Sequence, residues 1–239
     1  MILARNTNAI RTQNWFAVAL EFVIVIAGVV IGFQVTAWNA DRIERSQEAA
    51  ILCQLAEEFT RIETDFEQHL SDAEGASTLA SQLSIAASRG MTLEQLSQFD
   101  TAAITMRAPP GGSATYDQLI SNGELGLISS QNLRVALTEF GEQYDRHIVA
   151  GAALSLNTNQ QGGQVLQALS LISRGLETLP GELREEMETF VRSREFAMAT
   201  QSIETFNDYN FRWKRISLRD VRAVNDILAE QTRHCTDAS

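Results

Sequence analysis

Proline is scarce here, at three residues in 239, and aromatic residues make up only 7% of the chain. With so few helix breakers, and with Ala, Leu, Gln, Glu and Arg abundant, the composition favours helix over sheet, because straight-chain side chains keep their rotamer freedom in a helix. The predicted fold class is all-α. Basic residues are also in the minority. Of 19 basic and 30 acidic side chains, Arg5, Arg11 and Glu21 fall within the first 38 residues, so the remainder carries 17 and 29, a net of −12. A surface of that sign repels nucleic acid, and no nucleic-acid partner is expected.

Signatures of chemistry are missing as well. HExxH, CxxC, GxSxG and the Walker phosphate loop do not occur. His69, His147 and His234 follow Phe66, Tyr144 and Gln231 by three positions, so the Glu-x-x-His pair of a di-iron bundle is absent too. The "PPGGS" run, Pro109 to Ser113, lacks the lysine that a phosphate cradle needs. Asp65 and His69 share a helical face, a pair more often found on a surface than in catalysis. No catalytic residue, metal site or cofactor is expected, and the chain is not expected to be an enzyme.

One long apolar run is present, and only one. From Phe16 to Ala37 about 22 mostly apolar residues would span roughly 30 Å as a helix, the thickness of a bilayer's hydrocarbon layer. Trp15 and Trp38 bracket it at positions suited to the membrane interface. The predicted organisation is a short tail over 1–14, a transmembrane anchor over 15–39 and a helical-bundle domain outside the bilayer over 40–239. A single run counts against a two-span receptor whose last helix returns through the membrane. Within the anchor, Ala17, Gly28 and Gly32 lie within about 40° of Glu21 at 100° per residue. Glycines on one stripe permit close approach of a second helix, and an acid on that stripe faces a neighbour in preference to lipid. Arg5 and Arg11 before the run are matched by Arg42 and Arg45 after it, but the tail carries no acid. The expected orientation is therefore N-terminus inside and domain outside.

Beyond the anchor, Leu52, Leu55, Phe59, Ile62, Phe66, Leu70 and Ala73 recur at steps of three or four, predicting a helix that continues from the anchor and stops at Gly75. A second helix is predicted over 77–88, then a short one opened by a Thr92 and Gln95 capping box. Arg107 to Ala114 reads as loop. A further short helix stops at Asn122-Gly123, and a long one, capped near Ser130, carries Leu133, Leu137, Phe140, Tyr144 and Ile148 on one face. Gly162-Gly163 is expected to break it before a helix over 164–174. Pro180-Gly181 opens an acidic helix, and the last runs from 196 to 234 with Phe206, Tyr209, Trp213, Ile216, Val224 and Leu228 inward.

Glu21, Gly28, Gln34, Trp38 and Asn39, with Leu119, Ser121, Asn122, Gly123, Leu125, Leu127, Ile128, Leu133 and Arg134, resemble two blocks of a family of bacterial single-pass membrane proteins. That family carries a Glu…Gly…Gln…Trp-Asn anchor and a later Leu-x-Ser-Ser-Gly-x-Leu-x-Leu-Ile…Leu-Arg block. Asn122 stands where the second serine is expected, and Ala37 where asparagine is frequent. The resemblance implies no known reaction. Asn122, Gly123 and Arg134 form a candidate binding turn, weighed against a simpler role in which Asn-Gly stops one helix and Leu127 with Ile128 clips onto the next.

Cys53 and Cys235 are an even pair, suited to an oxidising compartment. If they bond with the last helix antiparallel to the first, facing residue numbers sum to about 288. Phe59 then meets Leu228, Ile62 meets Ile227, Phe66 meets Val221 and Leu70 meets Leu218. Asp65 and Glu67 fall near Arg219 and Arg222, and Asp72 and Glu74 near Lys214 and Arg215. Charge pairing of this kind is favoured over lipid-headgroup binding for the basic run 212–222. The expected function is a membrane-anchored structural or accessory subunit. Its partners would be membrane lipid and either further copies of itself or another membrane protein. A ligand-binding or sensing module and a Glu21-lined ion or proton path are the alternatives.

Overall fold

A computed structural model describes residues 15–99, 110–172, 175–233 and 235, with side chains described from Val18 onward. The chain divides into two compact units, 1–50 and 51–239. Among the described residues every regular element is helical: α1 (Trp15–Ser88), α2 (Leu93–Leu96), α3 (Ala114–Asn122), α4 (Gln131–Ile172), α5 (Gly181–Val191) and α6 (Arg194–Gln231). Short 3-10 turns at Leu125–Leu127 and Leu176–Thr178 complete them.

The first unit contains the opening turns of α1. Every side chain from 18 to 47 is exposed, Val, Ile and Phe included. The stretch is long and apolar enough to cross a membrane. Thr36 donates its hydroxyl to the Gly32 carbonyl at 3.0 Å, so this polar side chain is satisfied within the helix.

The second unit is built around α1 from Ile51 onward, α4 and α6, and it has two cores. In the first, Leu52, Leu55, Phe59, Ile62 and Phe66 of α1 meet Leu133, Leu137 and Phe140 of α4 and Trp213, Val221, Val224 and Leu228 of α6. In the second, Ala80, Leu83 and Ala87 meet Val165, Leu169 and Ile172, with Phe196, Ala199 and Ile203 from α6 and Met187 and Val191 from α5. Thus α1 and α4 both run from the first core to the second, and α6 returns. The bundle is not antiparallel throughout: α3 and the Leu125–Leu127 turn pack at the first core, so α4 starts there and must run beside α1 in the same direction.

Two predicted breaks do not occur. Helix α1 passes through Gly75, because the buried stripe continues without interruption through Ala73, Ala76 and Ala80. A glycine inside a helix costs only about 1 kcal/mol, which packing overrides. Helix α4 likewise passes through Gly162-Gly163. Gly162 is buried where a Cβ would lie 3.0 Å from Ile203 Cγ1, so the missing side chain serves close packing of α4 on α6.

Other signals translate directly. Thr92 and Gln95 form the reciprocal capping box, at 2.9 Å and 3.3 Å. Gly123 adopts φ 70°, a left-handed conformation that glycine enters without a Cβ penalty, and ends α3. Its N–H donates to the Ile120 carbonyl, and the Glu124 N–H to the Leu119 carbonyl at 2.8 Å, a Schellman closure. Ile128 is fully buried, but Leu127 is 36% exposed, so only the former clips onto the core. Ile148 also points outward, and His147 takes the inward position on α4. The tail over 1–14, Arg107 to Pro109 of the predicted loop and His234 lie outside the described residues.

Candidate functional site

Within the first unit, Glu21, Gly28 and Gly32 are exposed, and nothing lies within 4 Å of a Cβ placed on either glycine. Trp38 is exposed at the end of the apolar stretch, one turn before the Asp41–Arg45 ion pair. The side chains of Trp15 and Ala17 lie outside the described residues.

Cys53 and Cys235 are joined by a disulfide, with Cα atoms 5.9 Å apart, that encloses 182 residues of sequence separation. The facing surfaces of α1 and α6 follow. Arg222 bonds Glu63 at 2.9 Å and Glu67 as well, and Asn225 donates to the Phe59 carbonyl and to Glu63 at 3.1 and 2.7 Å. Arg219 instead turns to Asp220, Arg212 bonds Asp208, and Arg215 stacks over Phe211. Lys214 is buried. Most of the basic run is therefore paired within the chain, the arginines at its surface. His69 bonds the Asp65 backbone carbonyl at 2.6 Å, so its contact is with the main chain and not the acid's side chain.

At the candidate turn, Arg134 donates to the Ile128 carbonyl and to the Ser129 carbonyl at 3.1 Å, and Asn122 donates to Glu124 at 3.1 Å. All three polar contacts close the turn on itself.

A different group gathers where α3 lies on α4. Ser113, buried at the N-cap of α3, accepts from the Tyr116 N–H at 3.1 Å and donates to Glu58 at 2.7 Å. Thr115 adds its N–H at 3.1 Å and its hydroxyl at 2.7 Å to the same carboxylate. Burial alone would raise the Glu58 pKa, but these hydrogen bonds, with the nearby Arg61 charge, outweigh it and the net shift is downward. Tyr116 lies directly over Gly141, where any side chain would collide with its ring. Tyr144 donates to the Pro110 carbonyl at 2.7 Å, fixing the end of the Pro-Gly loop. Between them opens a cleft of about 310 Å³, lined by Gly112, Ser113, Tyr116, Asp117, Phe140, Gly141, Tyr144 and Asp145.

Electrostatically this cleft is negative. Burial, then Asp145 and Glu58, push the Asp117 carboxyl above its ordinary value. Tyr116 and Tyr144 are raised by burial and then by the Asp117 and Asp145 charges. Deeper in the bundle His147 bonds the Tyr209 hydroxyl at 2.8 Å, and burial, with Arg146, lowers its pKa against the opposing pull of Asp220. Among the described residues no three His, Cys, Asp or Glu side chains converge to hold a metal ion.

The sequence offered the Pro-Gly loop but neither the Ser113 cap nor its partner. Glu58 is 55 residues from Ser113, and nothing local marks it among the exposed acids of α1. No family model matches the chain, and no curated protein and no solved structure matches it.

Proposed function

We propose that this protein is a membrane-anchored, non-enzymatic structural or accessory subunit, held in a bacterial inner membrane by α1 with its bundle in the periplasm. The anchor would assemble with further copies or with another membrane protein. One observation carries the reading. Glu21, Gly28 and Gly32 are exposed with open space around both glycines, on a stretch whose every described side chain is exposed. An acid in hydrocarbon costs a few kcal/mol unless a neighbour receives it, and two glycines beside it allow that neighbour to approach. The Cys53–Cys235 bond supports an oxidising compartment.

Native mass spectrometry of the full-length protein, extracted from its own membranes in mild detergent, tests this. A defined hetero-complex would make it an accessory subunit, and a homo-oligomer a scaffold; a monomer would overturn the reading. Glu21→Gln separates assembly from conduction. Glutamine keeps a hydrogen-bonding group, so the complex should survive the change, whereas a proton path through Glu21 would lose its flux.

A further inference from the structure

The two apolar cores are joined by a polar waist. Between Gly141 and Thr158 no side chain of α4 is buried, whereas α4 on either side of that stretch lines a core. On α6, Tyr209 and Trp213 meet this stretch. The Trp213 Nε1 and, one turn further on, the Ser217 Oγ are buried with no hydrogen-bond partner among the described residues. Unpaired buried polar groups cost stability, so this contact is less favourable than the apolar packing to either side of it.

His147 fastens α4 there. Its Nδ1 shares a 2.8 Å hydrogen bond with the Tyr209 hydroxyl, and its ring lies 5.3 Å from that of Trp213. The next side-chain hydrogen bonds between these helices come at Thr158 and Gln161, about three turns further along. The charges that act on the imidazole are Arg146 on its own helix and Asp220 on α6, the first paired with Glu142 and the second with Arg219. Tyr144 adds its ring from α4, and α1 reaches the cluster through the Phe66 ring against Trp213. Burial dominates over these charges, and it favours the neutral imidazole.

Histidine is the side chain whose charge ordinarily changes between pH 5 and 8. A second ring proton here places a full positive charge beside Tyr209 and Trp213, where aromatic faces replace only part of its hydration. Water restores the rest, and water reaches the ring when α4 moves off α6.

We propose that His147 is an acid-sensitive latch: its protonation releases the middle of α4 from α6 while both cores stay packed. The closed state holds the ring neutral, so the opened state takes up the proton more readily. Opening is therefore suppressed above the ordinary histidine pKa and grows as pH falls from there towards the depressed one. The latch is independent of the anchor and of how the protein assembles.

Hydrogen–deuterium exchange of the full-length protein in detergent, corrected for intrinsic rates, reads the latch at about pH 7.5 and about pH 5.5, either side of the ordinary histidine value. Protection across 143–157 should fall at least ~3-fold in acid, with 52–66 and 165–172 unchanged, because one pH unit between the closed and open titrations is worth up to about tenfold in opening. In His147→Gln, uncharged at either pH, the acid effect should vanish. In His69→Gln, which leaves the latch intact, it should persist, and circular dichroism verifies that both variants are folded. Independently of any variant, NMR of the wild-type imidazoles should place the His147 midpoint below the ordinary value. Unchanged protection in acid, a loss shared equally by both cores, a loss that survives in folded His147→Gln, or a His147 midpoint at or above the ordinary value would each overturn the proposal.

Discussion

The two cores of the bundle are built from the same three helices but by different means. The first is aromatic and cross-braced: Phe59 meets Phe140 edge-on at 5.1 Å, Phe66 meets Trp213 at 5.9 Å, and the disulfide, the Arg222 pairs and the Glu58 clamp surround them. The second is aliphatic and small, with alanines at 80, 87, 168 and 199 and one aromatic pair, Phe190 with Phe196. Large rings bury more area per residue, and long-range polar links fix which residues face each other. The end of the bundle nearest Ile51 is thus specified several times over, whereas the far end depends on close packing of aliphatic side chains around a few alanines.

Removing the crosslink should have the largest effect. In the chain-entropy account a bond closing so long a loop contributes about 4 to 5 kcal/mol, so Cys53→Ser with Cys235→Ser should lower the unfolding temperature markedly in a circular-dichroism melt. If the two cores differ as described, amide exchange should accelerate around Leu52 to Phe59 before Ala80 to Ala87. Acceleration confined to the second core would reverse the comparison.

Core truncations come next. Phe66→Ala removes a ring from the braced core and should cost about 3 to 5 kcal/mol, and Leu83→Ala about 2 to 5, with the first the larger because its aromatic neighbours cannot collapse into the space. Denaturant melts of both variants test the order. At Gly162, where an added methyl presses on Ile203 at 3.0 Å, alanine should cost about 1 to 3 kcal/mol by overpacking the second core's approach.

What the sequence revealed follows the reach of each signal. Periodicity placed the buried face of α1 from Leu52 to Phe66, and local chemistry placed the Thr92 box and the Gly123 stop, because those interactions are local along the chain. The register argument from the cysteines brought Glu67 to Arg222, as the structure has it, but sent Arg219 across the interface when Asp220 beside it is the partner found. The glycines at 75 and 162 were misread as breaks because their meaning depends on a neighbouring helix that the local sequence does not display. For the same reason the cleft was hidden: Glu58, Asp117 and Asp145 come from three helices, and only the fold brings them together.

The Glu58 clamp gives a smaller, pH-dependent test. Its folded pKa lies below the ordinary carboxylate value, so its contribution is present above that value and is lost as pH falls through the depressed one. Glu58→Gln should cost about 1 to 2 kcal/mol near neutral pH, typical of a broken helix cap. The difference from wild type should shrink in acid. A penalty that stays constant down to pH 2 would mean that Glu58 acts by shape and not by charge.

The smallest expected effect has the opposite sign, which makes it the most discriminating. Gly75 lies on the exposed side of α1, in helical conformation, with open space where a Cβ would be. Alanine there restricts the unfolded chain without touching the folded one, and should stabilise by about 0.5 to 1 kcal/mol. Gly162 has the same helical backbone but a neighbour in the way, so its alanine variant should destabilise. If Gly75→Ala also destabilised, α1 would need flexibility at that point, and the second core could no longer be treated as a continuation of the same rigid helix.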